Sequence, residues 1–134
     1  MTGHRLARLS LRIDGVYCVA VGVVVAAIAP TAPGSLSLSP LLVAAIGVAT
    51  ILWGGYVWFA GGARSLRVHT RAIMIANIVA SAALAATGIL ASTAVLSLAA
   101  GVLAIDVAAF AVSQGWALYR PPQQNRMPTT DTEA

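Results

Sequence analysis

The chain contains no lysine, a single cysteine and few aromatic residues, and only 9% of its 134 residues are charged. Each scarcity excludes something. A soluble domain carries about 25% charged residues. Here 59% of residues are hydrophobic and the mean hydropathy is +0.87, more apolar surface than a fold of this size can enclose, so a bilayer must cover it. Cys18 can close no intrachain disulfide, and metal centres need three or four ligands, so neither framework is expected. The pI of about 10.2 would suit nucleic acid. Yet the arginines sit only at the ends of apolar runs, not interleaved with aromatics on a polar face, and nucleic acid is excluded as a partner. His4 and His69 lie outside the apolar runs, so no histidine pair is placed to ligate haem. With no Ser-His-Asp set, CxxC or phosphate-binding glycine loop, neither an enzyme nor a cofactor is expected.

What is present is four apolar runs, which predict helices over residues 13–29, 40–60, 72–90 and 94–119. At about 1.5 Å per residue each can cross a hydrocarbon core of about 30 Å. The second opens with Pro40 at its first position and stops at Gly61-Gly62. Residues 29–40 hold three prolines, a glycine and three serines and read as an exposed connection, whereas residues 91–93 make a tight hairpin. The expected fold is all-α, a polytopic membrane protein with four transmembrane helices in an antiparallel bundle. Residues 1–12 form a basic cytoplasmic N-terminus, 13–120 the transmembrane domain, and 121–134 a disordered cytoplasmic tail.

All eight arginines fall on one side of this pattern. Arg5, Arg8 and Arg12 precede the first run, Arg64, Arg67 and Arg71 separate the second from the third, and Arg120 and Arg126 follow the fourth. The other two connections carry no charge. Because positive charge is retained in the cytoplasm, both termini and the middle loop are expected there, and dual topology is disfavoured. Trp53, Tyr56, Trp58, Phe59, Trp116, Tyr119 and Tyr17 lie toward the same side, as amphipathic rings do at headgroup level. A signal peptide could be read into Arg5–Ala29. Asp14 at the head of the run and Pro30 just after Ala27-Ile28-Ala29 argue for a retained helix instead. The lysine-free, alanine-rich usage points to a bacterial source and hence to the inner (plasma) membrane.

Six polar residues in or near the runs are candidate binding positions: Asp106, Asn77, Gln114, Asp14, Ser81 and Ser113. Asp106 is near the midplane, beyond easy reach of any arginine. An ionised carboxylate there costs about 3 kcal/mol or more, so its partners must be hydroxyls, amides, water or another subunit. Asp14 stands beside Arg12 at the boundary, where helix capping or local pairing is expected, and shares a face with Tyr17 and Cys18. Asn77 and Gln114 each lie six residues inside their helices, so a bond between them fits an antiparallel pair. Asp106, Phe110, Ser113 and Gln114 form one helical stripe and Asn77, Ser81 and Gly88 another, together a polar seam. Ala100, Ala104 and Ala108, four apart, allow close helix approach.

These residues resemble a family of small, uncharacterised four-helix bacterial integral membrane proteins. Its members begin with Leu-Arg-x-Asp, here Leu11-Arg12-Ile13-Asp14, and carry an Asn early in the third helix, here Asn77. They end the fourth with a Gln–aromatic–Leu–Arg stretch, here Gln114-Gly115-Trp116-Ala117-Leu118-Tyr119-Arg120. The chain departs from that pattern at Asp106, where an amide is expected. The resemblance implies topology and no catalytic activity. Small multidrug transporters are similar in size but place an acid deep in the first helix. The expected function is a non-enzymatic accessory or structural subunit. Its partners would be the lipid bilayer and either a larger membrane complex or copies of itself. The alternative is a small transporter or proton-coupled permease using Asp106.

Overall fold

A computed structural model describes residues 3–30, 39–91 and 93–119. The expected disordered tail, 121–134, lies outside them. Four helices account for nearly all of the rest: α1 Gly3–Ile28, α2 Pro40–Ala60, α3 Leu66–Leu90 and α4 Ala94–Tyr119. All four are long and apolar enough to cross a membrane, and no more than 22% of any apolar window is buried inside the protein. Outward-facing Leu41, Phe59, Ile89, Leu90, Val95 and Ile105 are each more than 70% exposed, which is tolerable only against lipid. The chain is a four-span, all-α membrane protein.

Local chemistry explains the helix ends. Ser39 Oγ accepts from the Leu42 amide at 3.3 Å and Pro40 fills the first turn of α2. Thr93 Oγ1 accepts from the Leu96 amide at 3.3 Å at the head of α4. Inside the helices, Thr50, Thr70 and Thr87 each return their hydroxyl to the carbonyl four residues back, so these three donors are satisfied without water.

Two helices begin earlier than the apolar runs: α1 starts at Gly3 rather than residue 13, and α3 at Leu66 rather than 72. These extra turns are amphipathic. Ala7 and Leu11 on α1, and Leu66 and Ile73 on α3, close a core with Val57, Ala60 and Ala117. Arg5, Arg8, Arg12, Arg67 and Arg71 point away from it and are exposed. A hydropathy run ends at the first arginine, but a helix whose buried face recurs every three or four residues does not.

The helices associate as two antiparallel hairpins, α1 with α2 and α3 with α4, joined chiefly where α1 packs on α4. Among the described residues α2 meets the remainder almost wholly through α1. That α1–α2 contact is made backbone to backbone at four glycines. A Cβ on Gly15 would stand 2.8 Å from the Gly54 carbonyl oxygen, and one on Gly54 would stand 2.6 Å from the Gly15 oxygen. One on Gly22 would lie 2.7 Å from the Gly47 oxygen, and one on Gly47 2.6 Å from the Ala26 nitrogen. Gly15 with Gly22, and Gly47 with Gly54, are each seven apart, two full turns, so both pairs lie on one seam. In α3–α4, Gly88 faces Ser97 and Ala100 and permits a similar but looser approach, and Ala100 and Ala104 are buried there while Ala108 is only partly so.

Overpacking a tight interface costs about 1–3 kcal/mol. Gly54→Ala or Gly22→Ala should therefore lower resistance to denaturant-induced unfolding in mild detergent by that amount. Gly55→Ala, with open space around it, should leave it unchanged. Equal behaviour of Gly54→Ala and Gly55→Ala would show that the seam is not closely packed.

Candidate functional site

Three polar residues of α1, Ser10, Asp14 and Tyr17, recur at the i, i+4, i+7 spacing of one helix face, and each meets a partner across the bundle. At the level nearest the arginines, Ser10 Oγ and Ser113 Oγ lie 2.6 Å apart. Ser113 donates its own proton to the Phe110 carbonyl at 2.8 Å, so Ser10 is the donor between the two hydroxyls.

One turn deeper, Asp14 Oδ2 accepts from Asn77 Nδ2 at 2.7 Å and from Gln114 Nε2 at 2.8 Å. Asn77 Nδ2 also reaches Gln114 Oε1 at 3.4 Å, closing a triangle between α1, α3 and α4. The Cys18 thiol points at Asp14 Oδ1 from 3.6 Å. Every contact to the carboxylate comes from a donor. Asp14, Asn77 and Gln114 are 1%, 3% and 0% exposed, which seals the triangle from lipid and water alike.

This corrects the expected boundary role of Asp14. It is not in the first turn of its helix, which began at Gly3, and it does not pair with Arg12. Residues two apart on a helix diverge. Arg12 instead lies over the Trp58 ring, 5.4 Å from its centroid, while Asp14 turns inward. The Asn77–Gln114 contact is present, but as the longest side of a triangle whose stronger sides end on the acid.

Deeper still, Tyr17 OH donates to Asp106 Oδ2 at 2.6 Å. The Tyr17 ring also packs on Phe110, with centroids 5.4 Å apart. A hydroxyl therefore answers the midplane acid, supplied by the first helix. Asp106 and Tyr17 are only partly buried and stand on the wall of a cleft of about 460 Å³ between α1 and α4, which Ser10 and Ser113 also line. Ser81 takes no part in this pair; its hydroxyl donates to the Ala104 carbonyl at 2.8 Å and ties α3 to α4.

The expected seam of two facing stripes thus becomes a three-helix arrangement. Asn77, Ser81 and Gly88 do face α4, but Asp106, Phe110 and Ser113 face α1. Ser10 and the donor role of Tyr17 were missed by sequence reasoning. The available signal was their shared face with Asp14. No group of three or more metal-ligating side chains occurs among the described residues.

No known protein family, curated protein or solved structure matches the chain. What the structure supports is a four-helix, all-α bundle of membrane-length helices, as in polytopic membrane proteins in general.

Removing one member of a buried hydrogen-bonded set costs about 1–3 kcal/mol. Asn77→Leu and Gln114→Leu should each destabilise the bundle by this amount. Because both amides serve one carboxylate, their double-mutant cycle should give a coupling of at least about 0.5 kcal/mol. Strict additivity in denaturant titrations of the purified protein would rule the shared acceptor out.

Proposed function

We propose that this chain is a non-enzymatic, four-span accessory or structural subunit of the bacterial inner membrane, working within a larger membrane complex or as an oligomer of itself. The observation that carries this reading is the Asp14–Asn77–Gln114 triangle. Three of the most deeply enclosed polar side chains among the described residues are engaged with one another and join three helices, the use expected of groups that specify packing. The attachment of α2 almost wholly through α1 supports it too, because most of the α2 surface remains for lipid or for another membrane helix.

Both termini are proposed to face the cytoplasm. Arg5, Arg8, Arg12, Arg64, Arg67 and Arg71 gather where α1 and α3 begin and α2 ends, and the positive-inside bias assigns that end to the cytoplasm. A reporter active only in the cytoplasm, fused after residue 134, should be active, and one that needs export should be silent. The reverse pattern would overturn the orientation.

A second reading, a small proton-coupled transporter, is favoured by Asp106 and Tyr17 facing an open cleft. The two readings part on measurement. Native mass spectrometry after gentle extraction should find the chain with a stoichiometric partner or with further copies, and a lone monomer would remove support for the subunit role. Proteoliposomes should show no proton flux attributable to the chain. A flux present in the wild type and lost in Asp106→Asn and Tyr17→Phe, with association intact, would establish transport instead.

A further inference from the structure

A separate feature lies at the arginine-rich end. The turn between α2 and α3 folds against the start of α1, with the Arg8 carbonyl oxygen and the Arg12 side chain each 3.6 Å from where a Gly61 Cβ would be. This apposition leaves a pocket of about 300 Å³ walled by His4 and Arg8 from α1 and by Arg64, Ser65 and Arg67 from the turn and the head of α3. Basic side chains distant in sequence therefore converge on one concavity.

Nothing anionic among the described residues neutralises it. Both described acids, Asp14 and Asp106, lie deeper in the bundle and are bonded to Asn77, Gln114 and Tyr17. Among the described residues Arg67 donates from Nη2 to the Leu118 carbonyl at 3.2 Å. The head of α3 adds to the field. Ser65 makes no side-chain cap and instead turns its hydroxyl to His69 Nδ1 at 3.1 Å, so the positive end of the helix remains directed at the pocket. Positive side chains, a helix head and a concave shape together fit a phosphate.

Neighbouring rings set the depth. Trp58 lies under Arg12 at 5.4 Å, Tyr56 stands 6.3 Å from the His69 ring, and Trp53 packs on Tyr56 at 5.4 Å. Tryptophan and tyrosine gather at the headgroup level of a bilayer. A phosphate at that depth belongs to a lipid.

We propose that the pocket formed by His4, Arg8, Arg64 and Arg67 binds the phosphate headgroup of an anionic phospholipid. The guanidinium groups of Arg8 and Arg64 hold the phosphate oxygens by charge-assisted hydrogen bonds, and the acyl chains run down the apolar flank of the bundle. The site does not depend on which side of the membrane this end faces, nor on whether the chain is a subunit or a transporter.

Native mass spectrometry of the full chain in mild detergent, titrated with phosphatidylglycerol, phosphatidylcholine or inorganic phosphate, tests this. Phosphatidylglycerol should saturate a site that phosphatidylcholine does not. The pair Arg8→Gln/Arg64→Gln should weaken it by about tenfold or more, each basic residue being worth roughly fivefold at a lipid surface. The pair Arg5→Gln/Arg71→Gln removes the same charge outside the pocket and should change binding by less than half as much on a logarithmic scale. Should the first pair express poorly, Arg64→Gln alone, in a turn outside every helix, should read about fivefold. Equal weakening by both pairs would reduce the effect to a diffuse field and overturn the site. So would equal binding of phosphatidylcholine, or displacement of phosphatidylglycerol by millimolar inorganic phosphate, which would mark a soluble anion as the ligand.

Discussion

A carboxyl, amide or hydroxyl placed inside hydrocarbon has no water to bond, so it must find its partner on a neighbouring helix or on its own backbone. The arrangement of α1, α3 and α4 depends on this constraint. Ser10, Asp14 and Tyr17 leave α1 on one face, and Ser113, the Asn77–Gln114 amides and Asp106 receive them at three successive levels. Apolar packing alone would allow these helices to slide or rotate against each other, because lipid is as good a neighbour for leucine as another leucine is. The acid at the middle level does not permit that. Rotating α1 by one residue would turn Asp14 out of reach of both amides.

The other half of the structure is held differently. Between α1 and α2, apart from Arg12 over the Trp58 ring, association rests on glycines that bring two backbones into van der Waals contact. Helix α1 consequently has two working faces, one polar and directed at the α3–α4 hairpin, the other made of Gly15 and Gly22 and directed at α2. Its position between the hairpins follows from carrying both. Among the described residues α2 has no comparable second attachment.

Much of the candidate site was legible as depth and little of it as pairing. Asn77 and Gln114 could be put at one tier by counting from the arginines, with Asp14 nearer the boundary, because rise per residue is constant along a helix. Which of them bond could not be counted. Asp14 reads as a boundary residue while its helix is taken to begin at the first unbroken apolar residue. It becomes an interior residue once the amphipathic turns from Gly3 are included. Asp106 reads as solitary because its partner, Tyr17, is 89 residues away and belongs by composition to the aromatic belt. The glycine seam carried a signal in its two seven-residue spacings. A glycine that closes a turn and one that admits a neighbouring backbone are the same letter.

Hydropathy and the scarcity of charge determined, from sequence alone, that the chain crosses a membrane four times as helices. The cost of leaving a peptide group unbonded in hydrocarbon allows an apolar segment few other forms. The arginine clusters determined that one end of the bundle is basic. Tertiary structure decided which helix faces meet, that a lone acid and two distant amides form one closed triangle, and that Arg8 and Arg64 share a pocket. Those outcomes depend on the rotation of each helix about its axis and on how closely two backbones approach. Both are set by the simultaneous packing of all four helices, which no single segment of the sequence contains.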